Sequence, residues 1–136
     1  MKRIIVIGHS PAAVKAVEII RQKDTEAEIT ILAHSGAFPY RRDFFAEVLS
    51  KEKSVEDIQY KENKFYKDNN IKVVTDCNIT RINLSRKRVY TESKEQYQFD
   101  IVILADLPEG TKLTDLKGGN KEGIYSLRRI KYLDKI

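Results

Sequence analysis

At 136 residues the chain can enclose a single core but not two, so one domain spanning 1–136 is expected. A hydrophobic fraction of 41% beside 33% charged residues is that of a soluble globular protein, and the absence of any long apolar run excludes a membrane-spanning helix. The formal charge is +5, but the basic residues alternate with acids, as in "RQKDTEAE", so they read as solvated faces and no nucleic-acid partner is expected.

The amino terminus, "MKRIIVIG", has an apolar run of only Ile4 to Ile7. That is too short for the core of a signal peptide, and no small-residue cleavage site follows; the expected location is the cytoplasm. The same β-branched run predicts a strand covered on both faces. Ser10 is placed to cap a following helix, and Pro11 suits its first position, where a missing N–H costs nothing. Ala13, Ala16, Val17 and Ile20 recur at helical spacing, with Lys15, Glu18, Arg21 and Gln22 on the other face. "EITILA" reads as a second buried strand, completing a βαβ unit of about 30 residues.

A loop with Gly36 and Pro39 leads to a helix predicted from about Asp43 to Leu49, with Phe44 and Phe45 facing inward. "SVEDI" and "ENKFYKDNN" read as short helical pieces, and "IKVVTD" as a third parallel strand. From Asn78 the texture changes. "NITRINL", "RKRVYTES" and "EQYQFD" alternate polar and apolar residues and predict a three-stranded antiparallel meander at about 78–100. "DIVILA" re-enters the central sheet. A glycine-bearing loop, "IYSLRR" and a short tail follow. The fold class expected is α/β, a Rossmann-like parallel sheet flanked by helices, with the meander as an insertion.

Cys77 is the only cysteine, so one chain can build neither a disulfide nor a thiolate zinc cluster; it reads as packing. Two histidines, His9 and His34, are too few for a self-contained histidine metal site. The turn "GHSPAA" keeps the spacing of G-x-G-x-x-G. Gly8 stands at the first position, Ser10 at the second and Ala13 at the third.

Five stretches in order, "IIVIGHSPAAVKAVEIIRQKDTEAEITIL", "PYRRDFFAEVLSKEKSVEDI", "FYKDNNIKVVTDCNITRINLSRKRV", "FDIVILA" and "EGIYSLR", resemble the N-terminal flavin-binding segment of the pyridine nucleotide-disulfide oxidoreductase family. The branch resembled is the one with nitrite-reductase-like, rubredoxin-reductase-like and NADH-oxidase-like flavoproteins. The resemblance implies FAD as cofactor, held by Gly8, Ser10, Pro11, Ala12 and Ala13 of the turn, with His34, Arg41, Arg42 and Ala105 around it.

The sequence departs from the family at several of these places. The family's acid at the end of the second strand is replaced by His34-Ser35. The proline after its arginine is Asp43, and its "ATG" reads Ala105-Asp106-Leu107. The family continues into a nicotinamide domain, which this chain lacks, so it is not catalytically complete alone and has neither a catalytic residue nor a redox cysteine of the family type.

Two readings therefore stand. One is a flavin-binding module completed by another chain or domain. The other is a descendant without cofactor, a scaffold or interaction module whose turn is filled by its own contacts. A third ligand class, a smaller anion or mononucleotide at the helix tip near Arg41, Arg42 and His34, is also open. A sheet short of an edge strand implies dimerisation or pairing with another chain.

Overall fold

A computed structural model describes residues 1–34, 36, 38–106, 115–125, 127 and 130–136. Expectations for Ser35, Leu107, the first part of the glycine-bearing loop, and Ser126, Arg128 and Arg129 of "IYSLRR" lie outside the described residues. The chain divides into two compact units, Met1–Tyr40 with Tyr60–Leu107, and Arg41–Gln59 with Pro108–Ile136.

The first unit is built on β1 (Arg3–Ile7), β2 (Glu28–Leu32), β3 (Ile71–Val74) and β7 (Ile101–Leu104), all parallel, in the order β3-β2-β1-β7. Between them run α1 (Pro11–Lys23), α3 (Asn63–Asp68) and an antiparallel sheet of β4 (Ile79–Asn83), β5 (Arg88–Thr91) and β6 (Gln96–Gln98). The strand pattern and the meander are those read from the sequence.

β1 is central and explains its unbroken apolar run. Ile4 and Val6 face one core with Ile29, Ile31 and Ile71 of the neighbouring strands, Ala13, Val14 and Val17 of α1, and Tyr66 of α3. Ile5 and Ile7 face the other, with Leu32, Val74 and Val102 of the sheet and Val89, Ile82, Tyr97 and Phe99 from the meander side. Because side chains alternate along a strand, helices cover one face and the meander covers the other.

α1 begins as expected. Ser10 is extended (φ −100°, ψ 167°), accepts the Ala13 amide, and is followed by Pro11 in the first turn. The buried stripe differs from the expected one: Val14 is fully buried whereas Ala16 is only half-buried. The helix is rotated so that the larger valine fills the core, where burying a Val side chain is worth roughly 1.5–3 kcal/mol.

Arg21, on the supposedly solvated face, donates from Nε to the Asn69 carbonyl at 2.8 Å and from its terminal nitrogens to Asp24, Thr25 and Asn70 carbonyls. One guanidinium thus satisfies carbonyls at the ends of both α1 and α3.

The second unit holds a 3₁₀ turn (Arg42–Phe44), α2 (Phe45–Leu49), a second 3₁₀ turn (Glu56–Ile58) and a third (Ile130–Lys135). Phe45, Ile58 and Leu133 are buried. Phe44 is not its partner in the interior. It is half-buried, with Arg41 lying 4.3 Å and Lys53 5.1 Å from its ring centroid. Consecutive helical residues point about 100° apart, so the two rings cannot share one narrow face.

At the other end of the sheet, Arg3 and Asp100 join β1 to the chain entering β7. The carboxylate accepts from the Arg3 amide at 2.9 Å and from the guanidinium at 3.1 and 3.0 Å. Hydrogen bonds from Arg3 hold the Asp100 carboxyl down at about 2, against an ordinary value of 3.8. A carboxyl depressed in the folded state contributes stability above its unfolded value and loses it as pH falls through the folded one. Asp100→Asn is therefore expected to remove an acid-sensitive step between about pH 4 and pH 2. Urea denaturation at both ends of that window would show a smaller acid loss in the variant than in the wild type, and equal losses would contradict this role.

Candidate functional site

Parallel pairing aligns Ile7 with Leu32 and Leu104, and Leu32 with Val74, so the carboxyl ends of all four strands lie along one edge of the first unit. In open parallel sheets this is the edge where ligands bind. Gly8 and Ser10 follow β1, His34 and Gly36 follow β2, Asp76 follows β3, and Ala105 and Asp106 follow β7.

Gly8 has φ +101°, a backbone state that side chains disfavour. A Cβ there would stand 2.5 Å from Asp106 Cα, 2.6 Å from its nitrogen and 2.7 Å from the Ala105 oxygen. The amide of Gly8 donates to Leu32 O at 2.8 Å, and that of Ala105 to Ile7 O at 2.8 Å. The first glycine is thus required twice over, by its own dihedral and by the strand tip lying against it.

Ser10 is 3% exposed. Its Oγ donates to the Ala105 carbonyl at 2.5 Å and accepts the Ala13 amide at 3.2 Å. The hydroxyl proton is committed to the sheet, so Ser10 offers a ligand its backbone and not its side chain. The buried side chain also stays on the protein side of the turn, which is how a residue larger than glycine fits at the second position.

Ala13 is fully buried against the core, as the third position demands for close helix-to-strand packing. Pro11 has no amide and the Ala13 amide is taken by Ser10. The Ala12 amide has no acceptor among the described residues, and Ala12 is exposed. These features suit the diphosphate of a dinucleotide: a tight glycine turn, a 13-residue helix behind it and an exposed residue in its first turn.

His34 is exposed at the end of β2. Arg41 and Arg42 belong to the second unit. There the Arg41 guanidinium pairs with Asp43 at 3.0 Å and lies over Phe44, while Arg42 is exposed at the start of its 3₁₀ turn. The structure thus groups Gly8, Ser10, Pro11, Ala12, Ala13 and Ala105 in one turn, with His34 on the same sheet edge.

The sequence reading missed the role of His9. Its ring meets Phe38 and Tyr66 edge-on, with centroids 6.0 and 5.2 Å away, and its Nε2 lies 2.8 Å from the Tyr66 hydroxyl. Its Nδ1 is buried with no hydrogen-bond partner among the described residues. Burial pushes the imidazole down to about 4 and the Tyr66 phenol up to about 12. His9 is therefore neutral at pH 7 and anchors the turn to α3. No local signal marks this pair, which lies 57 residues apart.

Gly8→Ala is expected to lower unfolding free energy by roughly 2–4 kcal/mol, combining the left-handed dihedral with a backbone clash. Urea denaturation measures it, and a loss below about 1 kcal/mol would show that the strand tip yields easily. A second expectation concerns acid. A histidine whose folded value lies below its unfolded 6.5 binds fewer protons when folded, so stability falls as pH drops from about 6.5 to about 4. In His9→Phe that slope should flatten; an unchanged slope would assign the titration elsewhere.

The comparisons with known proteins agree with this geometry. A family model described as pyridine nucleotide-disulphide oxidoreductase matches residues 2–136. The NADH-rubredoxin oxidoreductase of Clostridium acetobutylicum is 31% identical over 125 residues, covering 92% of this chain and 32% of that protein. A crystal structure of NADH:rubredoxin oxidoreductase from the same species superposes with a TM-score of 0.71 over 82% of this chain and 29% of that one. An NAD-dependent persulfide reductase structure from A. fulgidus, 25% identical, gives a TM-score of 0.86 over 98% of this chain and 26% of the other. The chain spans about a third or less of the length of each of these relatives. With a family model matching residues 2–136, this protein belongs to the pyridine nucleotide-disulphide oxidoreductase family.

Proposed function

We propose that this chain is the FAD-binding part of a flavoprotein oxidoreductase whose nicotinamide site comes from another segment or chain. The observation that carries the reading is the turn at Gly8, whose φ of +101° and contact with the tip of β7 leave no space for a side chain. Gly8 and Ala12 would let the diphosphate approach the helix tip, Ala13 holds that helix against β1, and Ser10 locks the turn to Ala105. His34 is the remaining residue of the first unit proposed for the cofactor. When bound, the flavin supplies two-electron chemistry; the protein's part is to bind and orient it.

The partner is a completing segment or a second copy. β7 is an outer strand among the described residues, with Ile101 43% and Leu104 71% exposed, and an apolar edge of this kind invites pairing. No helix among the described residues is long and apolar enough to cross a membrane. The cytoplasm is the location this reading favours.

One observation favours the alternative, a scaffold without cofactor. Ser10 uses its hydroxyl as both donor and acceptor within the protein, so the side chain at the second turn position is satisfied without a ligand. A titration with FAD separates the two. At FAD about a hundred times Kd, mass action stabilises the folded state by about 2.7 kcal/mol, a rise in melting temperature of roughly 5–10 °C. Folded protein that shows no rise with FAD, and emerges colourless from desalting, would favour the scaffold.

A further inference from the structure

The formal charge of +5 is not spread evenly over the chain. Residues 78–99, the meander, hold five basic side chains against two acidic ones, and residues 81–88 hold Arg81, Arg86, Lys87 and Arg88 with no acid among them. Strand pairing gathers these four at one face and one hairpin end. Ile82, Val89 and Tyr97 pair with one another and pack into the core, so by alternation Arg81, Tyr90 and Gln96 form one outward row and Asn83, Arg88 and Gln98 the next. Arg86 and Lys87 follow in the turn between β4 and β5. No carboxylate stands in either row.

The three arginines are exposed, and two of them are held in place without being neutralised. The Arg81 guanidinium lies 4.4 Å from the Tyr90 ring centroid. Arg88 donates from a terminal nitrogen to Gln96 Oε1 at 2.9 Å. Neither they nor Arg86 enter an ion pair among the described residues, where the pairs are built on Arg3, Lys15, Arg41 and Lys61. The neighbouring acids are engaged elsewhere: Glu92 accepts from Asn78, Glu95 from Ser93 and the Tyr97 hydroxyl, and Asp100 from Arg3, with Lys87 adding attraction.

We infer that the outer face of the meander, centred on Arg81, Arg86 and Arg88, is a docking surface for an acidic protein. A guanidinium already set by a ring or an amide offers its remaining donors as a planar fork, which fits a carboxylate. Nucleic acid fits less well. Tyr90, the one aromatic in the outward rows, is half-buried with Arg81 over its ring, so no free ring is left for a base to stack on. Exposed pairs are screened by salt, so the complex is transient and salt-sensitive. The inference needs no bound cofactor.

Fluorescence anisotropy of a labelled peptide of about 20 glutamates, titrated with the full chain at about 50 mM and about 300 mM NaCl, tests it. The variants are Arg81→Gln/Arg88→Gln, Arg86→Gln and a control of equal charge change at exposed helical positions, Lys23→Gln/Lys64→Gln. Thermal melting checks folding; should the arginine pair melt early, Arg86→Gln decides, since it keeps the turn bond from its own amide to Asn83 Oδ1. Binding at low salt is expected to weaken roughly tenfold in the arginine pair, roughly threefold in Arg86→Gln and less than about twofold in the control, and to vanish at the higher salt. A loss as large in the control as in the arginine pair would reveal diffuse charge attraction and overturn the surface, as would a wild type that does not bind. A thymidine oligonucleotide of equal charge that binds more tightly, with the same dependence on the arginines, would overturn the acidic-protein partner in favour of nucleic acid.

Discussion

The contact between Gly8 and the tip of β7 sets the geometry of the first unit. It is backbone against backbone: Asp106 Cα and N occupy the space where a side chain on Gly8 would stand. Around it, the Gly8 amide reaches Leu32, the Ala105 amide reaches Ile7, and Ser10 links Ala105 to the first turn of α1. Three strands and a helix thus meet within a few residues. The strand tip cannot withdraw without breaking the Ser10 bond, and the helix cannot shift without uncapping itself. The carboxyl edge of the sheet is therefore set before any ligand arrives, and His9 adds a second tether from the same turn to Tyr66.

Two cores follow from that edge. β1 lies between β2 and β7, so its alternate residues have neighbours on both faces, and a polar residue at Ile4, Ile5 or Val6 would be buried without a partner. The helical side is closed by α1 and α3, stitched at their ends by Arg21. The other side is closed by the meander, whose buried Val89 faces the sheet while Arg81 lies over Tyr90. Charged residues that composition alone assigns to solvent thus include several that hold elements together.

Family membership accounts for this framework and leaves the ligand to the strand tips. There the polar groups have been rearranged: a serine at the second turn position faces inward, and a histidine stands after β2. With the Ser10 hydroxyl bonded inside the protein the turn can fold without cofactor, and it still presents an exposed residue in the first turn of its helix. The scaffold and flavin readings therefore share one fold and differ in what the edge residues accept.

Much of this was legible in the sequence. β-branched runs, a Ser-Pro helix start and alternating polar segments depend on the conformational preferences of neighbouring residues, so β1, α1, the parallel strands and the meander could be read directly. Helical periodicity was read with Ala16 on the buried stripe, whereas packing against the sheet put Val14 there. The pairing of Ser10 with Ala105 spans 95 residues, and that of His9 with Tyr66 spans 57. The sequence by itself determined the elements and the strained glycine turn, because those rest on short-range sterics. Only the tertiary structure decided which polar groups meet at the edge, because such meetings depend on strand order and on how the layers pack.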